Sequence, residues 1–185
     1  MMPLPEATSL RKRLHVRHVT VEGYAREDGL WDIEGHLTDV KDENFGHGES
    51  MLPSGTPLHD LWLRITIDED MVIRSACAKM EAIPYAMGCP GAAPHYERLV
   101  GLTLKPGFRR RVQALLGGTE GCVHLTELLG PMATTAYQTL STHRRARRSI
   151  DEPPFHLDAC HAMNREGEVV RTHYPQWHVK RRKEG

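Results

Sequence analysis

The sequence has no surplus of charge of either sign: 24 basic and 24 acidic residues leave a formal net charge of zero. A chain without a global basic field is not expected to bind nucleic acid, although the basic stretch 143–154 leaves a phosphate-binding patch as an alternative to a solvated connector. It has no apolar run approaching the length of a membrane span. Its first segment, MMPLPEATSLRKR, carries no apolar signal core, so a cytoplasmic protein is expected. Internal repeats are absent. So is a phosphate-cradling loop, because GHGESMLPSG has the glycines but neither the lysine nor a following helix. No CxxC pair and no cysteine-hydrolase signature occur. The four cysteines, Cys77, Cys89, Cys122 and Cys160, are expected as thiols or ligands rather than disulfides. Histidine, by contrast, is abundant, with 12 residues, which favours metal binding slightly.

A length of 185 residues fits one domain with a good core. Residues 1–13 read as a flexible arm, 14–142 as an α+β core domain, 143–154 as a basic linker, and 155–185 as a C-terminal hairpin extension packing on the core. Within the core, HVRHVTVEGYA and GLWDIEGHLTDV alternate as strands, joined by a turn at REDG. A polar, Gly- and Pro-rich stretch at 41–57 reads as a loop. LHDLWLRITID and MVIRSACAKMEAIP then give two more strands of an antiparallel meander. The period changes afterwards: short helices are expected within 85–101 and 107–118, and a long one over 122–143, kinked at Gly130-Pro131.

The stretch GCVHLTELL concentrates the chemistry. Cys122 and His124 stand at a helix start, and Glu127 follows on the same face, able to orient the imidazole or act as a general base. Cys89 lies in a glycine-cysteine-proline turn before another helix, where the peptide dipole favours a thiolate. Cys160 and His161 form a third cluster, in the tail. Soft thiolates and imidazoles together suit zinc or iron. Cys77, flanked by alanines in a strand, reads as core; His36 and His59, on or beside strands, read as surface residues that can also face the cleft. Nucleophilic catalysis is the rival, with Cys89 paired to His124 and Glu127 as orienter.

The stretches DGLWDIEGHLTDVK, HDLWLRITIDED, GCVHLTELLGPMATTAYQT and LDACHAMNREGEVVRTHYPQW together resemble an uncharacterised bacterial family, domain of unknown function 2889, which implies no activity. More distantly, LRITIDEDMVIRSACAKMEAIPYAMGCPG resembles the strand, turn and cysteine segment of NifU/IscU-type iron–sulfur scaffolds, and GCVHLTELLGPMATTAYQTL is similar to their later ligand-bearing helix. The resemblance implies ligand roles for Cys89, Cys122 and His124. Those scaffolds carry a further cysteine in an early loop; the matching DVKDENFGHGE has none and offers Asp39, Asp42, His47 or Glu49, while Cys160 and His161 could close the site.

The expected fold is α+β: an antiparallel meander of three or four strands against about three helices, SufE/NifU-like, with a C-terminal hairpin. The expected function is a cytoplasmic metal-binding accessory or carrier holding zinc or iron, as an ion or an iron–sulfur cluster. The alternatives are a small enzyme using Cys89 or a metal-bound water with His124 and Glu127, and a non-catalytic module whose Arg144–Arg148 run meets an acidic protein partner.

Overall fold

The computed structural model describes residues 4–47, 50–147, 149 and 151–180. The chain divides into two compact units, Met1–Thr142 and His143–Gly185.

The first unit is built on β1 (His15–Ala25), β2 (Trp31–Lys41), β5 (Pro57–Ile67) and β6 (Ile73–Ala82), paired antiparallel in the order β1-β2-β5-β6. Alternation fixes their faces. In β2, Trp31, Ile33, Leu37 and Asp39 are buried; in β5, His59, Leu61, Leu63, Ile65 and Ile67 are. The 41–57 stretch is more than a loop: β3 (Phe45–His47) and β4 (Ser50–Leu52) pair within it as a small second sheet. Cys77 proves exposed rather than core, because Ala76 and Ala78 take the inward positions of β6 and the pleat turns the residue between them to solvent.

The helical layer follows. Residues Cys89–Leu99 form a 3-10 helix rather than an α-helix. Pro90 and Pro94 remove two backbone donors from this short run, which the tighter spacing tolerates better. Next come α1 (Phe108–Leu116), burying Phe108, Val112 and Leu116, and α2 (Val123–Arg147), burying Leu125, Leu128, Leu129, Met132, Ala136 and Leu140. Those spacings of three and four place one apolar stripe on the sheet. The α2 helix runs on through Pro131. It lies close to the strands because two glycines make room: a Cβ at Gly35 would stand 2.9 Å from Met132 Sδ, and one at Gly23 only 1.9 Å from Thr139 Oγ1. The core joins both layers.

In the second unit, residues 143–147 are the last turn of α2 and not a linker. Alanine and arginine propagate a helix well, and basic side chains complement its negative end. The tail forms no hairpin among the described residues. It makes 3-10 turns at His161–Met163 and Pro175–Trp177 around α3 (Glu168–His173). The Val-Val pair suggests a strand, but Glu168 heads a helical turn and bonds Arg171 one turn on, which selects helix. Leu157 and Val170 are buried there. No helix among the described residues is long and apolar enough to cross a membrane.

Candidate metal centre

The turn between Ala25 and Trp31 sets Arg17 opposite Asp39, and the β2–β5 register sets Asp39 opposite His59. All three share the inner face. A β-bulge between Asp39 and Val40 marks the place, a common device for aiming a side chain. Asp39 is only 2 % exposed. His59 Nδ1 donates to its Oδ2 at 3.0 Å, since an ionised carboxylate can only accept. Arg17 grips both oxygens, Nε to Oδ1 and Nη2 to Oδ2, each at 2.8 Å, and His15 Nε2 reaches Oδ1 at 3.0 Å. Burial alone raises the Asp39 carboxyl, but the hydrogen bonds and charge of Arg17, with help from His59, outweigh it and hold the group below its usual value.

The α2 helix supplies the third member. Tyr96, fully buried and pushed by burial up to about 12, donates its hydroxyl to the Cys122 carbonyl at 2.8 Å and shares a second bond with Thr126 Oγ1 at 2.7 Å. These bonds clamp the helix start and so position His124. Its Nε2 lies 3.9 Å from Asp39 Oδ2, and its ring centroid 3.9 Å from that of His59, tilted by 36°. Burial lowers both imidazoles below their ordinary value; for His59 the Asp39 charge works against this, and for His124 the nearby His59 and Arg17 add to it. Both are thereby biased toward the neutral form, the one that ligates metals.

One ligand atom from each of Asp39, His59 and His124 lies within 4.8 Å of the other two. An ion at about 2.0–2.2 Å from each donor sets tetrahedral donors about 3.4 Å apart, so the His59–Asp39 pair at 3.0 Å would open a little and His124, at 3.9 Å from Asp39, would draw in. Two imidazoles and a carboxylate are donors that zinc and iron accept.

Of the residues singled out in the sequence, His124 belongs to this group. Cys122 stands beside it, with Sγ 3.9 Å from His124 Nδ1, on the side away from the nitrogen that faces Asp39. Cys89 and Cys122 share with His59 and His124 the wall of one pocket of about 300 Å³. Glu127 is largely exposed and accepts from Arg17 Nη1 at 2.8 Å, so it steadies the arginine that holds Asp39. Cys160 and His161 lie exposed in the second unit. Asp42 is bound to Arg13 instead. Glu49 and the side chain of His47 lie outside the described residues. His36 sits on the opposite sheet face, bonded to Asp60 at 2.8 Å. Sequence reasoning passed over Arg17 and His15. Only the pairing of Ala25 with Trp31 places Arg17 against Asp39, and a turn read at REDG alone sets the register one residue off.

A family model described as protein of unknown function (DUF2889) matches residues 15–138, more than half of the chain. No curated protein and no solved structure matches it at a significant level.

Proposed function

The chain belongs to that family, and within it we propose that the protein holds a single zinc or iron ion through Asp39, His59 and His124, as a metal-binding accessory or carrier. The observation that carries this reading is the convergence of one carboxylate and two imidazoles on the inner sheet face. The ion takes the place of the proton between His59 Nδ1 and Asp39 Oδ2, and the imidazole then keeps its hydrogen on Nε2. Arg17 and His15 keep the carboxylate aimed from its other lone pairs. Three protein donors leave positions open, as a transferable or catalytic ion requires. The nitrogen-and-oxygen set suits a mononuclear ion better than an iron–sulfur cluster, which thiolates hold.

A second reading has its own support. The Asp39–His59 pair, beside a pocket that Cys89 and Cys122 also line, has the arrangement of a carboxylate-oriented general base. That reading makes the protein a small enzyme.

Elemental analysis and an absorption spectrum of protein purified without oxygen decide the first reading. Near-stoichiometric zinc or iron, lost in a His59→Ala, His124→Ala double variant, is expected. Protein that stays metal-free after incubation with zinc and with ferrous iron overturns it.

A further inference from the structure

The second unit holds a concavity of its own. It measures about 150 Å³ and is lined by Arg144, Arg145, Pro154, Phe155, His156 and Tyr174, all within His143–Gly185. The two arginines stand near the end of α2, and the chain returns past them at 154–156. Arg144 stacks on Phe155, its Cζ 5.2 Å from the ring centroid. Stacking uses the face of the guanidinium and leaves the N–H groups in its plane to donate elsewhere. The rings of Phe155 and Tyr174 both meet His156 edge-on, at 5.1 and 5.5 Å, and the Tyr174 hydroxyl lies 3.3 Å from His156 Nε2. These contacts hold the aromatic side of the concavity together.

The arginines themselves are unanswered. No hydrogen bond or ion pair engages either guanidinium among the described residues, and no described residue lining the concavity carries a carboxylate. Arginine stays charged in a folded protein. The end of α2 offsets about half a unit of charge, so well over one positive charge has no partner. A carboxylate would answer one guanidinium. A phosphoryl group, close to dianionic at neutral pH, answers both, and its oxygens match the forked N–H pairs of arginine. The volume sets the size. At roughly five water volumes the concavity has room for a phosphate but not for a nucleotide.

We infer that this concavity binds a phosphoryl group, from inorganic phosphate or from a small phosphomonoester, through Arg144 and Arg145. The body of an ester stays outside, where Phe155, 38 % exposed, offers it an apolar surface. The inference is independent of the metal reading, since none of these residues belongs to that group.

The test is titration calorimetry of the full chain with inorganic phosphate, with phenyl phosphate and with benzoate. Arg144→Gln and Arg145→Gln each remove one charge, and Arg110→Gln, on α1, is the control. Circular dichroism checks the fold of each variant. The expected result is one saturable phosphate site, weakened at least about tenfold by Arg144→Gln and by Arg145→Gln and unchanged by Arg110→Gln. Benzoate, with a single charge on the same ring, binds at least about tenfold more weakly than phenyl phosphate. Phenyl phosphate binding tighter than inorganic phosphate names an ester as the source, and the reverse order names the free ion. The inference is overturned if neither phosphate binds, if neither arginine variant weakens binding, if Arg110→Gln weakens it equally, or if benzoate binds as tightly as phenyl phosphate. A glutamate-rich peptide that binds where neither phosphate does puts an acidic protein partner in its place.

Discussion

Strands β2 and β5 make two histidine–aspartate pairs with the same two residue types and opposite surroundings. On the outer face, His36 Nε2 meets Asp60 Oδ1 at 2.8 Å, with the side chains 27 % and 29 % exposed, and the imidazole stacks on Trp62 at 3.7 Å. On the inner face, His59 meets Asp39 at 3.0 Å, with exposures of 11 % and 2 %. Water screens the outer pair and shares its hydrogen bonds. The inner pair has lost that water and has gained Arg17, His15 and His124 in its place. One step along β5, from His59 to Asp60, thus separates a buried group from a surface contact. Burial, more than residue type, makes the difference.

The sharpest break in the comparison is metal affinity. His59→Ala lowers zinc or iron affinity by at least about a hundredfold, more than loss of a supporting hydrogen bond does, whereas His36→Ala leaves it unchanged. Competition with a chromogenic chelator reads both; equal effects would erase the distinction between the faces. Stability comes next. Asp39→Ala strands Arg17 and His59 without their acceptor and costs on the order of 3 kcal/mol in urea unfolding. Gly35→Ala drives a methyl group into Met132 on the inner face and costs about 1–3 kcal/mol in the same assay. Asp60→Ala, on the outer face, costs less than about 1 kcal/mol.

Acid titration separates the faces without mutation. The folded-state values of His59 and His124 lie below 6.5, so the unfolded chain takes up protons first. Stability that is complete above pH 6.5 therefore declines as the pH falls toward those lowered values. Asp39 acts in the same direction further into acid: its value is held below 3.8, and its contribution is lost as the pH drops through that depressed value. Urea midpoints measured across this range should show the first decline in the wild type and a smaller one in His59→Ala. A flat profile would mean that folding does not desolvate the inner histidines.

Much of the fold was legible because local pattern and burial agree. The period-two alternation in residues 15–25, 31–41 and 57–67 is the pattern of a sheet buried on one face, and the bounds of these strands follow it closely. The leucines of α2 were equally plain. Three elements were not. The hairpin β3–β4 hides in a polar, glycine-rich stretch, the prolines tighten residues 89–99 into a 3-10 helix, and Glu168 with Arg171 turns a valine-bearing segment helical. Cys77 shows how one flanking pair misleads: alanines suggest a core, yet the strand buries the alanines and exposes the thiol. At the site, the helix start with Cys122, His124 and Glu127 stood out, since such residues have no packing role in an apolar run. Asp39 and His59 came forward only as weak possibilities, and Arg17 not at all.

By itself the sequence determined which residues could alternate, where the chain had to turn, and that His124 would stand at the first turn of a long helix. Those properties depend on neighbours within a few positions. The tertiary structure decided which chemistry meets: Arg17, Asp39 and His59 come from three strands, and His124 from a helix more than 60 residues beyond the nearest of them. It biased protonation as well: the core around the imidazoles lowers their values, and an arginine from the neighbouring strand lowers that of the carboxylate against its burial. Hydrogen bonds and desolvation act over a few ångströms in space, and only the folded chain sets those distances.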